Sequence, residues 1–234
     1  MVYLCGDTHG LKDIDKVVRF FEREGSYKEL SKKDYLIILG DSGICWDDGP
    51  QDARVKQILQ DLPVTTLFID GNHDNHELLA EYPVTQWHGG KVHEIDDGII
   101  HLMRGQVYEI CGETFFTFGG AMSIDKDERA EGISWWPEEL PSPEEIYEAK
   151  ENLENVDYHV DYILTHTGPA DILEEMGYQV YDGAEELMNF FDDLQNDLEF
   201  GDWYFGHMHH DQHLENWHCI MEEIVELITF DQFD

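Results

Sequence analysis

Five short polar fragments, each closing an apolar run, restrict the fold of this chain more than any other feature. They are Gly6-Asp7-Thr8-His9-Gly10, Gly40-Asp41-Ser42-Gly43, Gly71-Asn72-His73-Asp74, Thr165-His166-Thr167 and Gly206-His207-Met208-His209. The runs before them read as strands. In the first third they alternate with stretches of helical periodicity, a β-α-β-α-β rhythm that predicts a parallel sheet with crossover helices. Sheets of that kind bind ligands just beyond the carboxyl ends of their strands. Five strand ends would thus bring Asp, Asn and His side chains into one crevice. Hard oxygen and imidazole ligands suit divalent cations, and two such ions turn water into a nucleophile at neutral pH.

The local pattern predicts strands over 2–5, 35–39 and 64–69. It predicts helices over 11–24, with Leu11, Ile14, Val17 and Phe21 on one face, and over 53–59. Short strands over 91–94, 98–103, 107–110 and 114–118 read as an antiparallel second sheet packed on the first. Ser142-Pro143-Glu144-Glu145 carries a capping box with Pro at the first helical position, for a helix running to about residue 155. A strand over 162–164, a helix over 184–198, a strand over 203–205 and strand pairs over 219–230 complete the reading. No repeat, linker or boundary interrupts it, so residues 1–234 are expected to form one α/β domain.

Spacing also bears on the ligands. Asp7 and His9 stand two residues apart, as do His207 and His209; in extended backbone each pair would point to one side. Asp41 has two carboxylate oxygens with which to bridge two ions, and Asn72 offers a neutral carbonyl oxygen.

Composition narrows the partners. The chain carries 52 acidic and 14 basic residues, a net charge of −38, and beyond residue 130 its only Lys or Arg is Lys150. Nucleic-acid polymers draw their affinity from cations on the protein, so a nucleic-acid partner is not expected. Any Arg or Lys that touches phosphate must come from the first 130 residues. Arg129 is the leading candidate, with Arg104 and Arg54 behind it. No apolar stretch is long enough to cross a membrane. The N-terminus lacks a basic region and a cleavage pattern, so no secretory signal is expected. The four cysteines, Cys5, Cys45, Cys111 and Cys219, are far apart, which fits reduced thiols and a cytoplasmic location.

In order and spacing the five fragments resemble the calcineurin-like metallophosphoesterase superfamily, whose pattern is D-x-H, G-D, G-N-H-D/E, a lone His and G-H-x-H. The likeness spans residues 7 to 209. The loop opening at Gly119-Gly120-Ala121 resembles one in small bacterial and phage-type members. The resemblance implies a two-sheet β-sandwich flanked by helices, in four αββα layers, with a binuclear metal centre. It implies that Asp7, His9 and His209 hold one ion and that Asn72, His166 and His207 hold the other, with Asp41 bridging them. His73 would assist the leaving oxygen without binding metal. The ions would be two divalent transition metals: Mn²⁺ for preference, with Fe, Zn and Ni as alternatives.

The second motif departs from the phosphoprotein-phosphatase pattern G-D-x-x-D-R-G. Ile44 stands where an Asp would orient the catalytic His, and Cys45 where an Arg would hold phosphate. Asp74, or one of Asp47 and Asp48, is left to orient His73. Cys45 reads as a small buried thiol. Trp46, Trp135 and Trp136 read equally as cleft lining or packing. His76 reads as a helix-cap or surface residue first and as a substrate contact second, and His210, His213 and His218 as solvated or core-satisfied rather than ligating. The function expected is metal-dependent hydrolysis of a phosphate ester by a metal-activated hydroxide. The substrate is a phosphomonoester, phosphoprotein included, or a small phosphodiester or nucleotide. The alternative is a non-catalytic protein-interaction scaffold on the same fold, with the acidic C-terminal half as its surface.

Overall fold

Alternation along the strands decides how this chain layers. The structure, a computed structural model, describes residues 1–24 and 29–227. The first part runs β1 (Val2–Cys5), α1 (Asp15–Glu24), β2 (Tyr35–Leu39), α2 (Pro50–Gln60), β3 (Thr65–Ile69) and α3 (His76–Glu81). It continues through β4 (Val84–Trp87), β5 (Gly90–Asp96), β6 (Ile99–Leu102), β7 (Gln106–Ile110) and β8 (Glu113–Phe118). Then come α4 (Pro143–Glu154), β9 (His159–Thr165), α5 (Ala170–Glu175), α6 (Glu185–Asp197) and β10 (Glu199–Phe205). Strands β11 (Gln212–Leu214), β12 (Trp217–Cys219) and β13 (Ile224–Leu227) close the described chain. One sheet has the order β13-β1-β2-β3-β6-β5-β4, the other β11-β12-β10-β9-β8-β7.

Successive residues of a strand face opposite sides, and both faces of these sheets are covered. Leu36, Ile38 and Phe68 pack with Val17, Phe21, Val55 and Leu59 of the helices over the first sheet. Their neighbours Ile37, Leu39, Leu67 and Ile69 pack against Tyr108, Phe115 and Leu164 of the second sheet. The far face of the second sheet, with Phe116, Phe118 and Trp203, meets Leu153, Leu187, Phe190 and Leu194 of α4 and α6. The result is the four-layer αββα sandwich. Each large apolar side chain so buried contributes roughly 1.5–3 kcal/mol relative to exposure.

Two expectations are corrected. The four short strands do not make a sheet of their own. β5 and β6 extend the first sheet, where β6 runs parallel to β3, and only β7 and β8 belong to the second. The corner between the sheets is Met103-Arg104-Gly105, where Gly105 takes φ +70, and hairpin patterning alone cannot tell which sheet edge a strand joins. Leu11 is not on the first helix. The helix starts at Asp15, after a turn with Gly10 at φ +58, and Leu11 is 45% exposed while Ile14, Val17 and Phe21 are buried. The Ser142 capping box forms as expected, with Pro143 in the first turn. Of the strand pairs expected over 219–230, positions 228–230 lie outside the described residues. Among the described residues no helix is long and apolar enough to cross a membrane.

Candidate metal centre

The parallel registers of β1, β2 and β3, and of β9 and β10, set their carboxyl ends on one rim. Contacts across the sandwich hold the two rims together. His166 Nδ1 lies 2.7 Å from the Leu39 carbonyl, and the His207 N–H donates to Asp7 Oδ1 at 3.0 Å. A Cβ on Gly71 would overlap Asp41, and one on Gly206 would overlap Asp7, so both positions need glycine.

All seven residues expected as ligands meet there. Asp7, His9, Asp41 and His209 each place a ligand atom so that all lie within 4.8 Å of one another, and Asp41, His166 and His207 do the same. Asn72 Oδ1 joins the second group, 3.0 Å from His166 Nε2. Asp41 belongs to both groups. The expected extended geometry is not what brings them together. His9, Asp41, His207 and His209 have φ of +43, +46, +64 and +51, in the left-handed region. Non-glycine residues there cost energy and cluster at functional sites. Tight turns after the strands, rather than period-two alternation, aim these side chains.

The donor set fits cations for a reason visible in its hydrogen bonds. The Leu39 carbonyl can only accept, so His166 Nδ1 carries a proton and Nε2 of the neutral ring is a bare acceptor. That nitrogen faces Asn72 Oδ1 at 3.0 Å and Asp41 Oδ1 at 3.4 Å, both acceptors. Asn72 Nδ2 donates to Ser123 Oγ at 3.0 Å, which fixes the amide with its oxygen inward. His9 repeats the pattern. Its Nδ1 is held by Asp13 Oδ2 at 2.8 Å, leaving Nε2 3.8 Å from both Asp7 Oδ2 and Asp41 Oδ2. Both carboxylate oxygens are buried; Asp41 Oδ2 has no hydrogen-bond partner, and Asp7 Oδ2 has only His209 Nε2 near it, at 3.2 Å. Converging bare acceptors need a positive charge among them, and these residues fit divalent metal ions.

Titration follows the same field. Burial opposes charge on Asp41, yet His166 and His73 outweigh it and hold the carboxyl below the usual carboxylate range. Burial opposes charge on Asp7 too, but the His209 contact and His166 bring it down. Burial would lower His166, but Asp41 and Asp7 push it up to about 10, so without an ion the ring holds a proton on Nε2 as well, and a metal would bind there by displacing it. His207 is lowered to about 4 by burial and by His166.

His73 reaches the cleft edge. Its N–H donates to Asp41 Oδ1 at 2.7 Å, and the Arg129 guanidinium lies across its ring, Nη1 2.9 Å from Nδ1 and Nη2 3.3 Å from Nε2. A neutral imidazole has one acceptor, so only one of these contacts is a hydrogen bond. Asp125 grips the same guanidinium through both its oxygens at 2.7 Å. Burial lowers the pKa of His73, with Arg129 adding to the effect and Asp41 opposing it.

Asp74 does not orient His73. Its Oδ1 accepts from Ser42 and its Oδ2 from the Gly71 N–H, and burial together with the Asp41 charge pushes it up to about 7. Asp47 caps Gly49, and Asp48 lies 3.5 Å from Lys56. Nor is His76 a surface residue: at the start of α3 its side chain is 8% exposed and lies 3.9 Å from Asp70. Arg104 is spent on Asp70, and Arg54 is exposed on α2. Cys45 is buried, its thiol pushed up to about 12 by burial. Trp46 does both jobs proposed for it, lining the cleft and meeting the buried Trp136 edge-on.

Sequence reading missed Asp13, Ser123 and Lys12. Asp13 had a signal, since it stands four residues from His9. Lys12 lines a cavity of about 740 Å³ on one side of the cluster, with Leu11, Trp46 and Gln51. A second cavity of about 410 Å³, with Met122, Tyr178, Tyr181 and Met188, opens on the other. Asp41, His73 and His209 line both.

The sequence model of the calcineurin-like phosphoesterase family matches residues 1–211, and the chain belongs to that family. No curated protein matches the chain. Among solved structures it is similar to one from Staphylococcus aureus, named as a candidate 5′-nucleotidase in complex with alpha-ketoglutarate. The two are 14% identical with a TM-score of 0.47, and the match covers 94% of this chain and 48% of the other. The chain thus spans about half the length of that protein.

Proposed function

We propose that this chain hydrolyses phosphate esters at a binuclear metal centre. In this reading Asp7, His9 and His209 hold one ion, Asn72, His166 and His207 hold the other, and Asp41 serves both. The observation that carries it is the buried convergence of Asp7 Oδ2 and Asp41 Oδ2 on His9 Nε2, with His209 Nε2 3.2 Å from Asp7 Oδ2 and Asp41 Oδ2 left without a hydrogen bond. When bound, the two ions would activate water as a nucleophile near neutral pH and polarise the phosphoryl oxygens. Mn²⁺ is the ion proposed for assay.

The chain's own groups do the rest. Asp13 and the Leu39 carbonyl fix the ring orientations of His9 and His166, as partners behind the ligands of metal sites do. His73 gives a proton or hydrogen bond to the departing ester oxygen. Burial lowers its pKa in the free site, with Asp41 opposing and Arg129 adding to the effect. An incoming phosphate anion acts in the opposite sense and favours the protonated ring. Arg129 is the supplementary phosphate contact, presented by Asp125. The substrate proposed is a phosphomonoester, phosphoprotein included, or a small phosphodiester or nucleotide. The test is direct: chromogenic phosphomonoester and phosphodiester substrates assayed side by side with Mn²⁺. Turnover of neither, with two ions bound per chain, would refute the reading and favour a scaffold.

A further inference from the structure

A second place in the molecule turns bare imidazole nitrogens toward each other. Strands β11 and β12 form a hairpin in which His213 and His218 are directly opposed. Their Nδ1 atoms lie 2.9 Å apart. Each ring is held from behind by a carboxylate: His213 Nε2 is 3.0 Å from Glu223 Oε2, and His218 Nε2 is 3.0 Å from Asp202 Oδ1. His218 is also stacked on Tyr204, with ring centroids 4.5 Å apart.

Proton counting constrains this pair. A carboxylate can only accept, so each Nε2 carries the proton and each Nδ1 of a neutral ring is left bare. Two lone pairs facing at 2.9 Å repel unless a further proton or a metal cation lies between them. The buried pair His93 and His101, with Nδ1 atoms 3.1 Å apart, escapes the requirement. There only His101 has a carboxylate behind it, Asp70 at 3.2 Å. His93 is free to put its proton on Nδ1 and donate it. The hairpin pair has no such freedom, and it has the carboxylate-imidazole arrangement that stands behind metal-bound histidines.

We propose that His213 and His218 form a surface site for a divalent transition ion, separate from the candidate catalytic centre. The spacing as it stands fits one class of ion best. With metal–nitrogen bonds of about 2.0–2.1 Å, nitrogens 2.9 Å apart subtend about 90° at the metal. A tetrahedral site of that bond length needs about 3.3–3.4 Å between its nitrogens. A right angle is the cis angle of square-planar and tetragonal coordination, which Cu²⁺ and Ni²⁺ prefer. His213 is 45% exposed and His218 14%, so the remaining positions are open to water.

The experiment uses the Mn²⁺-loaded full chain, titrated with Cu²⁺ in excess Mg²⁺ to occupy non-specific carboxylates. Bound copper is counted by equilibrium dialysis and examined by electron paramagnetic resonance. His213→Ala and His218→Ala should each lose one equivalent of copper, together with its axial two-nitrogen signal, while keeping phosphoesterase activity with Mn²⁺. Asp202→Asn combined with Glu223→Gln keeps both rings and should weaken that equivalent about 10–100-fold. Equal copper stoichiometry and spectra in wild type and all variants would overturn the proposal. The copper would then belong to the catalytic ligands or the acidic surface, and the His pair would share a proton. Retained Mn²⁺-dependent activity shows that the alanine variants are folded. If they are not, the Asn/Gln variant decides alone.

Discussion

Replacing Arg104 by Met should unfold this protein more readily without loosening its hold on substrate. Arg104 donates from Nε and Nη2 to Asp70 Oδ2 at 2.8 and 2.6 Å, and the two side chains are 5% and 3% exposed. It also donates to the Glu138 and Glu139 carbonyls. Methionine fills much of the volume but leaves a buried carboxylate with only His101 Nε2, at 3.2 Å, as a close partner. Removing one member of a buried ion pair costs about 3–5 kcal/mol. For a chain of this size that lowers Tm by roughly 6–20 °C. The pH dependence has a definite sign. Burial opposes ionisation of Asp70, yet Arg104 and the imidazoles of His101 and His76 hold its carboxyl well below the usual range. In the wild type that stability is present above the unfolded pKa of about 3.9 and is lost only as pH falls through the lower folded value. In the variant, burial without the guanidinium raises the folded pKa, so the cost is full at neutral pH and shrinks as pH falls through it. The stability gap, from urea melts at pH 7.5 and pH 5 with chelator throughout, should therefore narrow on acidification. A gap under about 1 kcal/mol, or one independent of pH, would refute the ion-pair reasoning. A raised KM with unchanged Tm would show that Arg104 reaches phosphate after all.

His73→Asn should lower kcat by roughly 10²–10⁴-fold with metal content intact; loss of metal in that variant would make His73 a ligand. Arg129→Ala should raise KM for phosphoesters while changing Tm little, and unchanged kinetics would leave the ions as the only phosphate clamp. Asp41→Asn tolerates the left-handed backbone at φ +46 but removes the shared carboxylate. Bound metal, measured by mass spectrometry, should fall below two ions per chain. With a net charge of −38 the chain repels anions at long range. Raising ionic strength shortens the screening length and should increase kcat/KM for a phosphate ester; a decrease would show that a local positive field governs approach.

The site was legible where chemistry depends on residue type and strand ends, and illegible where it depends on what meets across the sandwich. Asp7, Asp41, Asn72 and His166 could be named because each closes an apolar run, and a parallel sheet brings such ends together. The layering came from the family resemblance; the unbroken apolar run over 36–39 is what a strand covered on both faces requires, with Leu36 and Ile38 facing the helices and Ile37 and Leu39 the second sheet. The strand-end logic failed on how the paired ligands are aimed. A D-x-H or H-x-H fragment reads as extended, but His9, His207 and His209 sit in turns with positive φ; the flanking Gly10 and Gly206 signal a sharp turn without fixing which residue takes the left-handed conformation. It failed again on Asp74. A carboxylate beside a candidate acid invites the role of orienting it, whereas the tight turn after Gly71 bends Asp74 back onto the Gly71 N–H and Ser42. Arg104 and Asp70 are 34 residues apart and pair only because β6 runs beside β3. From sequence alone the guanidinium was a phosphate candidate ranked behind Arg129. The burial that removes Arg104 from the cleft is also what leaves Arg129 and Lys12 as the cations beside it. Arg129 is already shared with Asp125 and His73. In so acidic a protein, phosphate capture then rests mainly on the cations that the bare acceptors of Asp7, Asp41, His9 and His166 call for.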